Sequence, residues 1–138
     1  MGYDFIAVSH VDACDQLPNN ARPYAECMYR TDNDTYYESS VNGRSSYYKA
    51  TNRSHTMAWS INLHAASELV EALINQGVDM HNLFSQASHT SASLRPILQQ
   101  IYTLNNQQLD PTLANRMPGL ISLLECACDG DDGILLNV

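Results

Sequence analysis

The chain reads as an α+β protein: a mostly antiparallel sheet containing a β-hairpin, helices packed on one face, and a short C-terminal strand. Three observations predict this class. Strand-like segments fill the first half of the sequence and helix-period segments the second. Asn42-Gly43 is the best turn signal, because both residues tolerate the positive φ of a type I′ hairpin. An apolar run, Ile134 to Val138, follows an acidic, glycine-bearing turn. At 138 residues and 44% apolar, the expectation is one globular domain over 1–138 that folds without a metal or disulfide.

The elements follow in order. Tyr3 to Ser9 contains the apolar run Phe5-Ile6-Ala7-Val8 and reads as a strand covered on both faces. His10 to Ala21, broken by Asp, Pro and Asn, reads as a loop. Pro23 to Arg30 fits a helical turn or a short strand equally. Thr35 to Val41 and Arg44 to Thr51 are rich in Tyr, Ser and Thr and flank the Asn-Gly turn. A two-residue loop sets Val41 opposite Arg44, Ser39 opposite Ser46, Glu38 opposite Tyr47, Tyr37 opposite Tyr48 and Tyr36 opposite Lys49.

Met57, Trp59, Ile61 and Leu63 alternate with Ala58, Ser60 and Asn62, the period of a half-buried strand. Ala66, Leu69, Val70, Leu73 and Ile74 then fall at helical spacing, and Gly77 supplies a stop. Asp79 is placed to cap a short helix to about Ala87. Ser93 is placed to cap another to about Leu104, with Leu94, Ile97, Leu98 and Ile101 on one face. Asp110-Pro111 opens a short helical piece. Pro118 opens the last helix, with Leu120, Ile121, Leu123, Leu124 and Ala127 inside. Asp129 to Gly133 is a turn.

Fifteen acidic residues face seven basic ones, for a formal charge of −8. Such a chain repels nucleic acid and anionic membranes and attracts basic proteins. No apolar stretch has the length to span a bilayer, and the opening residues lack the basic and apolar regions of a secretory signal. The expected location is cytoplasmic, with Cys14, Cys27, Cys126 and Cys128 as free thiols.

Catalytic and metal motifs fail on spacing. His10, His55, His64, His81 and His89 include no pair three or four apart. Cys126-x-Cys128 is not a redox or zinc pair. Asp129, Asp131 and Asp132 open like a calcium loop, but its sixth position is Ile134 rather than Gly. Neither a metal nor a cofactor is expected. His55-Thr56 and His89-Thr90-Ser91 echo the paired His-x-Thr/Ser signature of two-histidine phosphoesterases, but Met57 stands at the hydroxyl position of the first copy.

The opening Met1-Gly2-Tyr3-Asp4, the segment Tyr47-Tyr48-Lys49-Ala50-Thr51-Asn52 and the end Cys126 to Leu136 resemble a loose group of small prokaryotic and phage-borne proteins. That group has no established activity, so the resemblance implies no catalytic residues. The chain departs from it in the middle, where a longer Gly- and Trp-containing stretch is expected.

Eight Tyr against two Phe and one Trp is a set suited to interfaces. The leading expectation is therefore a small, acidic, non-enzymatic module that binds a basic, nucleic-acid-handling protein. Small acidic inhibitors of the phage anti-defence or toxin-immunity type are the analogy. The expected contact residues are Asp32, Asp34, Tyr36, Tyr37, Glu38, Tyr47 and Tyr48. The alternative is a nucleotide or small-molecule pocket, or a phosphoesterase-like enzyme, built on Arg44, Arg53, His55 and His89. A third reading is a homo-oligomer joined through the hairpin edge.

Overall fold

The computed structural model describes residues 2–25, 27–41, 43–50, 56–80, 82–86, 88–104, 110–130 and 133–137. Its α+β class is the expected one, with the strands divided between two antiparallel sheets. The first sheet has the order β7-β1-β9-β8, built from Thr56–Asn62 (β7), Gly2–Val8 (β1), Ile134–Asn137 (β9) and Ser88–Thr90 (β8). The second has the order β2-β6-β5-β4-β3, built from Val11–Cys14 (β2), Arg44–Ala50 (β6), Thr35–Val41 (β5), Met28–Arg30 (β4) and Arg22–Ala25 (β3). Among the described residues four helices complete the fold: α1 (Leu63–Asn75), α2 (Ser91–Tyr102), the single turn α3 (Pro111–Ala114) and α4 (Met117–Cys128).

The apolar run of β1 explains the layering. Successive strand residues point to opposite faces, so a continuous apolar run must be covered on both. Phe5 and Ala7 join Ile61, Leu135 and the helices in one core. Val8, Ile134 and Leu136 point the other way and meet Val11, Tyr37 and Ala50 of the second sheet, with Ile6, Met28 and Tyr48 at the margin. The first sheet is thus sandwiched between helices and the second sheet. Among the described residues the helical core holds twenty buried apolar residues and the inter-sheet core six. At about 1.5–3 kcal/mol for each large apolar side chain buried, the helical layer is the more firmly held.

The hairpin register is the one read from Asn42-Gly43, from Val41 opposite Arg44 to Tyr36 opposite Lys49. Gly43 has φ +78°; Asn42 lies outside the described residues. Pro23 to Arg30 resolves as two short strands, turned at Cys27 with φ 58°, with a bulge between Pro23 and Ala25.

Several expectations are corrected. His10 to Ala21 is not all loop: Val11–Cys14 pairs with β6, because Val11 finds cover in the inter-sheet core. Leu63 does not extend the strand. Asn62 Oδ1 accepts from the Ala65 N–H at 2.8 Å, so the helix begins there and Leu63 is left 47% exposed. Asp79 caps no helix among the described residues. Its N–H donates to Gln100 Oε1 at 2.9 Å, and residues 82–86 form turns. The cap of α2 is Thr90 rather than Ser93.

Gly119 marks where α4 meets β7. A Cβ there would stand 2.6 Å from Trp59 Nε1. Alanine is the better helix former by about 1 kcal/mol, yet overpacking against the indole outweighs that. Gly119→Ala is expected to lower stability in urea unfolding by about 1–3 kcal/mol. A variant as stable as the parent would contradict this packing.

Candidate functional site

Strand alternation decides what the tyrosine-rich hairpin displays. Tyr36 and Tyr37 are consecutive, so they cannot share a face. Tyr37 is 4% exposed and lies in the inter-sheet core with Tyr48 at its margin. Burial pushes its phenol up, while a hydrogen bond with Thr56 and the charge of Arg30 pull the other way. Tyr37 is therefore packed between the sheets and Tyr48 lies at the edge of that core, so the expected contact tyrosines do not share one outward face.

The opposite face carries Tyr29, Tyr36, Glu38, Tyr47 and Lys49. Even here Tyr36 is only 6% exposed, and burial is the main reason its phenol is pushed up. Glu38 sits at the centre. Its carboxylate accepts from Tyr29 Oη and from Ser45 Oγ, each at 2.8 Å. Donation to that carboxylate pushes the Tyr29 phenol up. The Tyr29 and Tyr47 rings meet edge to face at 6.2 Å. Asp34 lies 3.7 Å from the Lys49 ammonium, and its N–H donates to Thr31 Oγ1 at 3.1 Å. Asp32 is exposed. Of the carboxylates expected to meet a partner, Glu38 and Asp34 are thus already engaged by neighbouring side chains.

Charge is segregated, but not as the sequence suggested. Described residues 11–50 hold five acidic and four basic side chains, a net of −1. The remaining described residues hold seven acidic side chains, all exposed, against Arg95 and Arg116, a net of −5. Arg95 is further occupied, its Nη2 donating to the carbonyls of Cys128 and Gly130, both at 3.4 Å. The surplus negative charge therefore lies with the first sheet and its helices.

Within that layer, Glu68, Glu71 and Asn75 share one face of α1 by their spacing of three and four. They line a groove of about 430 Å³ with Asp110, Thr112 and Leu113. Asp110 Oδ1 also accepts from the Thr112 N–H at 2.8 Å, which fixes its carboxylate at the start of α3. Sequence reading passed over these residues. The signal was Glu68 and Glu71 at helical spacing opposite the apolar stripe.

The residues of the alternative pocket are not brought together among those described. Arg53 and His55 lie outside them, as do Asp131 and Asp132. Arg44 is exposed beside the hairpin turn of the second sheet. His89 is on β8 of the first sheet and is buried, with Nε2 2.9 Å from the Leu83 carbonyl. The 300 Å³ cavity that His89 borders is walled by Asp79, Asn82, Gln86, Ser93 and Gln100 with apolar neighbours, and no arginine is among them. Burial pushes the Cys14, Cys126 and Cys128 thiols up, which keeps them weak nucleophiles. Among the described residues no three His, Cys, Asp or Glu side chains are grouped to hold a metal ion, and no helix is long and apolar enough to cross a membrane.

Burial lowers the His89 pKa, and its bond to the Leu83 carbonyl opposes that shift. The folded imidazole thus takes its proton later than the unfolded one as pH falls. Its contribution to stability is whole above the unfolded value, about 6.5, and is lost as pH drops from there toward the folded value. His89→Gln can keep a donor toward Leu83 but cannot ionise. Urea unfolding at about pH 7, 6 and 5 is expected to show a shallower loss of stability in the variant. Equal slopes would contradict the buried neutral imidazole.

No family model matches the chain, and neither a curated protein nor a solved structure does.

Proposed function

We propose that the protein is a non-catalytic binding module for a cationic protein, with the helical layer as its contact face. The supporting observation is the charge segregation: among the described residues a net of −5 accompanies the first sheet and its helices, against −1 within 11–50. A one-signed face raises the local concentration of an oppositely charged partner and speeds its encounter. The groove between α1 and α3 adds shape to that field. It offers Glu68, Glu71 and Asp110 above the apolar Ala72 and Leu113, a lining suited to the apolar stem and charged head of an arginine or lysine.

A nucleic-acid-handling partner fits this reading, because its basic surface is matched to phosphates and would accept carboxylates in their place. The module would then act as an inhibitor by occupying that surface. Asp32 and Asp34 are secondary in this reading, because they lie in the segment where the described charges nearly balance.

The test is titration of a fluorescent arginine-rich peptide by anisotropy. Glu68→Gln, Glu71→Gln and Asp110→Asn combined should weaken binding about tenfold at low salt and flatten its salt dependence. Gln is nearly as good a helix former as Glu, and Asn caps as well as Asp, so the fold is retained. Neutralising Asp32 and Asp34 should change affinity less than about twofold. Binding that ignores salt, or that depends more on Asp32 and Asp34, would overturn the proposal.

A further inference from the structure

The β3–β4 hairpin extends beyond the inter-sheet core, and all four residues of β3 are exposed. Arg22 and Arg30 are direct register partners on these two strands. Like charges placed opposite each other are destabilising. The chain has 15 carboxylate side chains, yet among the described residues neither guanidinium is in an ion pair within 4 Å. Arg30 instead lies over the Tyr24 ring, with Cζ 3.5 Å from the centroid. Stacking of this kind leaves the guanidinium edge free to donate. Tyr24 itself remains 57% exposed.

These side chains line a cavity of about 410 Å³ together with Asn20, Thr31 and Asp32. Its walls are tied. The Ala21 N–H donates to the Pro18 carbonyl at 3.0 Å, and the Thr31 N–H donates to the Asp34 carbonyl at 3.0 Å. The volume lies in the range of small-molecule sites. Its chemistry is two guanidiniums and an amide as donors, an aromatic ring, and one carboxylate, Asp32. An oxyanion between Arg22 and Arg30 would convert their repulsion into two attractions. A single carboxylate is satisfied by one bidentate arginine, whereas the three terminal oxygens of a phosphate monoester can use both. Asp32 opposes a bare anion but would accept from a hydroxyl or amino group elsewhere on the ligand.

We propose that this pocket binds a small phosphomonoester bearing a planar ring, the chemistry of a mononucleotide. The phosphate lies between Arg22 and Arg30, the ring meets Tyr24, and Asp32 takes a ligand donor. The overall negative charge does not forbid this, because distant carboxylates are screened beyond about 10 Å at 0.1 M salt. The site is separate from the acidic helical face, so either reading can fail alone.

The test is a titration followed by the arginine Nε–Hε signals in nitrogen–proton correlation spectra. Adenosine monophosphate should shift the Arg22 and Arg30 signals saturably, inorganic phosphate more weakly, and adenosine not at all. Arg22→Gln should weaken the nucleotide about tenfold while leaving the thermal midpoint of the free protein unchanged or higher, since it removes a like-charge pair. Unchanged arginine signals at about 10 mM nucleotide would overturn the proposal. So would benzoate binding as tightly as the nucleotide, full affinity in Arg22→Gln, or a lowered midpoint in that variant.

Discussion

The rest of the structure depends on one constraint: β1 and β9 are apolar on both faces. Phe5 and Ala7 point to the helices while Val8 points away, and Leu135 and Leu136 divide in the same manner. A strand with two greasy faces cannot lie at a surface. The chain answers with two covers of unlike kind. The helices supply the thick one. The tyrosine-rich hairpin and its neighbours supply the thin one, lying over the two central strands of the first sheet.

That arrangement leaves only the outer layers for recognition, and it gives them different chemistry. The second sheet places Tyr37 and Tyr48 inward and ties the carboxylates of Glu38 and Asp34 to Tyr29, Ser45 and Lys49. Its surface is close to neutral and largely self-satisfied. The helical layer packs through Leu69, Leu73, Leu94, Leu120, Leu123 and Leu124, and its outer faces carry carboxylates with few cations among them. At the β3–β4 end, past the margin of the inter-sheet core, the second sheet presents two opposed guanidiniums, Arg22 and Arg30.

Much of this was legible where the controlling interactions are local. The two-residue Asn-Gly loop dictates the hairpin register, and the apolar spacing of Ala66, Leu69 and Leu73 dictates α1. Alternation from Met57 to Asn62 was equally plain. What was not legible depended on distant neighbours. Val11–Cys14 and Ser88–Thr90 are strands because β6 and β9 are there to pair with them; three or four residues alone carry no period. Which tyrosine of each consecutive pair turns inward depends on which side the first sheet lies. The opposition of Arg22 and Arg30 requires the turn at Cys27. The charge map misled for a related reason: Asp32, Asp34 and Glu38 look unopposed along the sequence, but the second sheet also gathers Arg22, Arg30, Arg44 and Lys49.

The central claim is a middle sheet sealed on both sides, with the negative field confined mainly to the helical cover. Amide relaxation measured with a neutral and a cationic nitroxide in solution tests both halves together. The β1 and β9 amides are expected to respond weakly to either probe. The cationic probe should affect α1 and α3 more than the neutral probe does, while β4, β5 and β6 respond alike to both. A cationic excess centred on the hairpin, or β1 and β9 amides as accessible as those of β3, would contradict it.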